Sequence, residues 1–197
     1  HNVAHSFPTR RSSDLKIYHG LVYEGRARSI LEFTDRAFVI NGFSKLYAMT
    51  GWRLGYLIFP REFSSVMERM HQSFMISANN FVQYAGIAAL RSARPDIERM
   101  KATYNERRMY MIRRLREMGF IIHVEPTGAF YVYADAGAFF TDTYAAAFDI
   151  LEKAGVGVTP GVDFGSGQER FIRFSYANSI GNIREGLDRI QEYLRRK

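Results

Sequence analysis

Apolar residues recur along this chain with two different periods. Residues 37–41 (AFVIN) form a short, nearly continuous apolar run, which suits a strand covered on both faces. Residues 53–60 predict another strand, and residues 16–25 (KIYHGLVYEG) a strand end followed by a loop. From residue 61 to 75 the spacing becomes helical, with Phe63, Val66, Met67, Met70 and Phe74 on one side, and a second helix is predicted over 81–92. Pro95 stands in a helix first turn. From there Ile97, Met100, Tyr104, Met111, Leu115 and Met118 recur at steps of three, four and seven. That spacing describes a long amphipathic helix ended by Gly119 at its C′ position. Short strands at 121–124, 129–134 and 171–176 then alternate with helices near 144–154 and 183–196. No internal repeat interrupts this order. The pattern is that of an α/β protein with a boundary near 92–96, followed by a smaller α+β unit.

Composition narrows the picture. The chain has 197 residues, 47% hydrophobic and 15% aromatic, enough to bury a sizeable core. No apolar run reaches the roughly 18 residues of a membrane helix, so no membrane partner is expected. There is no cysteine, which removes disulfides and thiolate metal sites and fits a reducing cytoplasm. The net charge of +7 raises nucleic acid as a partner. Much of it is expected to lie on a solvated helix face (Arg107, Arg108, Arg113, Arg114, Arg116), and no aromatic platform interleaves those arginines. No nucleic-acid partner is therefore expected.

Residues 5–15 (HSFPTRRSSDL) match the translation of a common sequencing-adapter oligonucleotide. The expectation is a non-native leader over 1–15, with native sequence starting near Lys16 as a C-terminal fragment of a longer protein.

Several catalytic patterns are missing: there is no G-x-S-x-G elbow, no H-E-x-x-H and no Cys/His ligand set. His19, His71 and His123 stand isolated, as surface or packing residues. The stretch GVGVTPG (155–161) holds Pro160 where a dinucleotide loop needs its third glycine, and reads as a tight turn near a pocket. Residues 41–56, NGFSKLYAMTGWRLGY, are different. A lysine can hold a carbonyl covalently where its surroundings favour the free amine. An arginine eight residues on presents a fork suited to phosphate, and serine and glycine beside the lysine let donors approach an anion closely. Together these describe a phosphorylated aldehyde, pyridoxal 5′-phosphate. By chemistry alone, a lysine snorkelling past an aromatic wall remains the other reading.

The same segment closely resembles the lysine signature of class I/II, fold-type-I aminotransferases. The resemblance extends to KIYHGLVYEG, TPGVDFG and IRFSYA, and so to nearly everything from Lys16 to Lys197. It implies a partial large domain with a mixed, mainly parallel sheet over 16–94, and an α+β small C-terminal domain over 95–197. It implies that Lys45 holds the cofactor and shuttles a proton, that Arg53 binds the phosphate with Ser44 assisting, and that Tyr18 donates to the pyridine 3-oxygen. Arg173 then clamps the substrate carboxylate, although the alternation of FIRFSY also allows a rim ion pair. Trp52 is expected in the core. The aspartate expected three residues before the tyrosine, to face the pyridine nitrogen, is absent: Leu15 stands there. Asp14 is one residue off, on the opposite face of a strand.

The resemblance thus implies amino transfer between an amino acid and a 2-oxo acid, in a homodimer, with this chain inactive alone. A carbon–sulfur lyase of the same fold shares every retained motif, and a transcription regulator with a cofactor-sensing domain is a third reading.

Overall fold

The computed structural model describes residues 12–197. The expected leader, 1–15, lies outside the described residues as far as residue 11. Two compact units follow, one ending at Glu98 and the other spanning Arg99–Lys197.

The first unit holds strands β1 (Ser12–Leu15), β2 (Ala37–Gly42) and β3 (Gly55–Ile58), ordered β1-β2-β3. β1 runs parallel to β2, with Asp14 opposite Val39 and Leu15 opposite Ile40. β2 and β3 are antiparallel, with Asn41 opposite Tyr56 and Gly42 opposite Gly55. The expected mainly parallel sheet is therefore corrected for the described residues: β1–β2 is its one parallel pair. The strand expected to end within 16–25 lies instead over Ser12–Leu15, and 17–20 form a turn. Ala37 and Val39 are buried while Ile40 is exposed, so β2 is covered on one face rather than two. Helices α1 (Ser64–Phe74) and α2 (Asn80–Ser92) complete the unit. α1 buries none of its residues, and Val66, Met70 and Phe74 are exposed despite their helical spacing.

α3 (Arg94–Met118) begins at the residue before Pro95 and ends as predicted at Gly119, whose φ of +98° lets the Phe120 amide reach back to Leu115 O at 3.0 Å. In its second-unit portion Arg108, Met111, Ile112 and Leu115 are buried. Arg108 corrects the expected solvated arginine face. It is 2% exposed, and donates from Nε to Asn105 Oδ1 (2.9 Å) and from Nη1 to Pro126 O (2.5 Å).

The second unit continues with β4 (Tyr131–Asp135), α4 (Thr143–Ala154), β5 (Thr159–Pro160), β6 (Phe171–Ser175) and α5 (Ile180–Arg196). Its sheet is antiparallel, in the order β4-β6-β5. One face, Val132, Ala134, Ile172 and Phe174, is buried together with Ala146 and Ile150 of α4 and Ile183, Leu187 and Ile190 of α5. Each large aliphatic side chain so buried contributes roughly 1.5–3 kcal/mol. Caps fix the helix starts: Asp142 accepts from the Tyr144 and Ala145 amides, and Ser179 from Asn182.

No strand forms over 121–124. Ile121 makes a single bridge to Asp135, after which the His123 ring occupies the Asp135 carboxylate at 3.2 Å and Ala129 turns the chain at φ +62°. His123 is therefore not isolated. Thr159 and Pro160 join the sheet rather than forming a turn, while Gly155 to Val158 line a cavity of about 340 Å³ beside α5. Among the described residues no helix is long and apolar enough to cross a membrane.

Candidate active site

Lys45 and Arg53 belong to one loop, running from Phe43 to Leu54 between the antiparallel strands β2 and β3. The loop is closed by Phe43 N–H to Leu54 O (3.1 Å) and by Asn41 Nδ2 to the Tyr56 hydroxyl (2.9 Å). Ser44, Lys45 and Leu46 lie in its first turn, and Thr50–Trp52 form a 3-10 turn before Arg53. Thr50 ties the two halves: its hydroxyl donates to Ser44 O (3.0 Å), and its own carbonyl accepts from Arg53 Nη1 (2.9 Å). Two non-glycine residues of the loop are left-handed, Ala48 (φ 52°) and Arg53 (φ 55°). Such conformations cost on the order of 1–3 kcal/mol and cluster at functional sites.

Tyr18 comes from the turn after β1. Gly20 in that turn approaches Leu46 so closely that a Cβ would stand 2.9 Å from Leu46 Cδ2, and a Cβ on Gly42 would stand 3.5 Å from Ile17. The Tyr18 turn thus packs on the Lys45 turn. Tyr18, Ser44, Lys45 and Arg53 gather at the carboxyl ends of β1 and β2, the end of an α/β sheet where ligands bind. Lys45 and Tyr18 are half-buried and Arg53 is exposed. Next to Lys45, burial pushes the Tyr47 phenol up.

Asp14 is committed elsewhere. Its carboxylate accepts the Ile30 amide at 2.9 Å and pairs with Lys16 at 3.3 Å, and these partners, the amide foremost, hold it below the usual carboxylate range. Leu15 is 69% exposed. Trp52, expected in the core, is 44% exposed because its 3-10 turn caps the hairpin; it meets Phe81 edge-on with centroids 6.1 Å apart.

In the second unit Arg173 lies on the middle strand β6, opposite Tyr133 of β4 and Thr159 of β5. It donates from Nη2 to Thr159 Oγ1 (3.3 Å) and sits over the rings of Phe164 (4.6 Å) and Tyr131 (5.2 Å). The partners of Arg173 are thus a hydroxyl and two rings. Sequence reasoning did not single out Thr159, Tyr131 or Phe164. The period-two alternation of β4 held a signal for Tyr131, but Phe164 arrives through a fold-back that no local pattern encodes.

The donor set fits a phosphorylated aldehyde at the first-unit cluster: a half-buried amine, a hydroxyl, and a guanidinium anchored on one side by Thr50. The position that would face a ring nitrogen does not fit, since Leu15 offers no acceptor.

A profile described as "Aminotransferase class I and II" matches residues 16–190. The chain is 40% identical over 183 residues to a (5-formylfuran-3-yl)methyl phosphate transaminase of Methanocaldococcus jannaschii, covering 91% of this chain and 48% of that protein. It is 35% identical over 196 residues to an aspartate aminotransferase of Pyrococcus horikoshii, covering 98% and 50%. The crystal structure of an aminotransferase from Mycobacterium tuberculosis superimposes with a TM-score of 0.89 at 35% identity, covering 95% of this chain and 49% of that one. The chain spans about half the length of the curated relatives it matches.

Proposed function

Because this chain belongs to the class I and II aminotransferase family, we propose that it is the lysine-bearing half of a pyridoxal-phosphate-dependent enzyme that moves an amino group between an amino acid and a 2-oxo acid. The observation that carries the proposal is the packing of the Tyr18 turn on the Lys45 turn through Gly20 and Leu46. It supports one site built from Tyr18, Ser44, Lys45 and Arg53.

In this reading residues 16–94 are the remnant of a large cofactor-binding domain and 95–197 a small domain. When bound, pyridoxal phosphate supplies an electron-withdrawing ring that stabilises charge at the substrate Cα. Lys45 Nζ would hold the aldehyde, and its amine is the group that would take and return a proton. Arg53 and the Ser44 hydroxyl would donate to the phosphate, and the Thr50 carbonyl, which accepts from Arg53 Nη1, would keep that fork from swinging away. Tyr18 would donate its hydroxyl to the ring oxygen. Arg173 would receive the substrate carboxylate, which its position over two rings and beside the Thr159 hydroxyl supports. Assembly of two copies belongs to the same proposal, supported by the exposed Phe74, Phe81, Tyr84 and Leu90 of α1 and α2. So does a cytoplasmic location, supported by the absence of cysteine.

The test is to incubate the purified chain with pyridoxal phosphate, reduce with borohydride and map the adduct by peptide mass. Visible absorbance before reduction and a single adduct at Lys45 after it, both abolished in Lys45→Ala, are the expected outcome. An adduct spread over surface lysines, or unchanged in that variant, contradicts it. No transamination is expected, because Leu15 gives the ring nitrogen no partner; sustained turnover of any amino acid would sink that expectation.

A further inference from the structure

The open face of the second sheet carries more than an arginine. Alternation places Tyr131, Tyr133, Phe171, Arg173 and Thr159 on the side away from the buried Val132, Ala134, Ile172 and Phe174. Phe164 joins them from the 3-10 turn Gly161–Phe164, which folds back onto β6. Gly161 makes that fold-back possible: a Cβ there would stand 2.1 Å from Gln168 O and 2.8 Å from Phe171 O. Each ring has a second support. Tyr133 stacks on Phe171 (5.0 Å, 3°), stands edge-on to Phe164 (6.0 Å) and donates its hydroxyl to Gln168 Oε1 (2.9 Å). Tyr131 packs edge-on to Phe130 (6.4 Å).

Arg173 is thus held three ways, by Phe164, Tyr131 and Thr159. Rings over a guanidinium attract it, displace water from its faces and restrict its plane. An anion then approaches along the N–H edge, where reduced hydration strengthens the attraction. We propose that Phe164 and Tyr131 are positioning residues for carboxylate capture, holding the Arg173 guanidinium edge-on and poorly hydrated so that a 2-oxo or amino acid carboxylate binds it bidentately. The proposal rests on the reading of Arg173 as the carboxylate-binding group. Phe164 is 48% exposed and ends a turn followed by Gly165 at φ +136°, so its ring can be changed without opening the core.

The experiment uses the ¹⁵N-labelled full chain with pyruvate as the probe. The Arg173 Nε–Hε resonance is assigned by its loss in Arg173→Gln. In the unmodified chain it is expected upfield, from the ring currents, and to move saturably with pyruvate. Phe164→Leu and Tyr131→Leu should each shift it downfield and weaken pyruvate binding about three- to tenfold, whereas Phe164→Tyr, which keeps a ring, should restore both. Pyruvate binding unchanged in the two leucine variants overturns the proposal, as does an unmodified chain with no saturable shift. If Arg173→Gln binds pyruvate as before, read from the backbone amides of β6 and β5, the carboxylate reading of Arg173 is what fails. If it abolishes binding while the leucine variants do not weaken it, only the role of the rings fails.

Discussion

Gly161 and Gly137 both stand where a methyl group would collide, but they differ in what it would meet. At Gly161 the obstacles are the backbone oxygens of Gln168 and Phe171, which cannot yield without moving β6. At Gly137 the obstacle is the guanidinium of Arg170, with Nε 2.2 Å from the ideal Cβ; it is the far end of a side chain 63% exposed. Gly161→Ala is therefore expected to cost about 1–3 kcal/mol, as overpacking does. Gly137→Ala should cost under about 1 kcal/mol, by displacing Arg170 from its 3.3 Å pair with Asp135. Urea midpoints compare the two, and equal losses would contradict the distinction. The sequence marks both positions only as glycine. The same limit hid Arg108, which looked like one of a row of solvated arginines because its Pro126 acceptor lies far along the chain. Lys45 and Arg53 stood out for the opposite reason, since an amine for an aldehyde and a fork for a phosphate are particular side chains at a fixed spacing; Tyr18 was singled out only by the family resemblance.

At the scale of elements, legibility followed local periodicity. α3, α4 and α5 were readable because their apolar positions recur at helical steps and their ends carry Pro95, Gly119 and Gly155. β1 was misplaced because its hydrogen bonds go to β2, a partner more than twenty positions away that composition does not reveal. α5 also shows what holds two elements together. Ile183, Leu187, Ile190 and Tyr193 form its buried stripe, and the Tyr193 hydroxyl donates to Asp149 of α4, which also pairs with Lys153 at 2.6 Å. Burial, followed by the bond to Asp149, pushes the Tyr193 phenol up to about 12, against about 10 in an unfolded chain. The raised value means the folded state holds this proton more tightly. The stabilisation is complete below about pH 10 and is lost as pH rises through about 12. The urea midpoint should therefore fall between pH 9.5 and 11.5, and fall less steeply in Tyr193→Phe, whose own loss near neutral pH is about 1 kcal/mol. Identical slopes would exclude Tyr193 as the titrating group.

For the whole molecule the decisive contrast is between two unequal cores. Among the described residues the buried apolar side chains of the first unit are Leu21, Ala37, Val39, Phe43, Met49 and Val82; all the others belong to the second. Phe33, Phe74, Met75, Ile76 and Phe81 of the first unit are more than 60% exposed. A unit that buries so little apolar surface recovers less of its ordering entropy and should open at lower denaturant. The chain contains a probe for this, because its one tryptophan, Trp52, lies in the first unit. Urea unfolding followed by Trp52 fluorescence should show a lower midpoint than ellipticity at 222 nm, to which α3, α4 and α5 contribute most of the helix. Core truncations assign the two transitions. Val39→Ala should lower the fluorescence midpoint and leave the late ellipticity phase in place. Ile150→Ala, at a fully buried site of α4, should lower the late phase by about 2–5 kcal/mol and leave fluorescence unmoved. Coincident curves that shift together in both variants would mean that the two cores unfold as one cooperative unit.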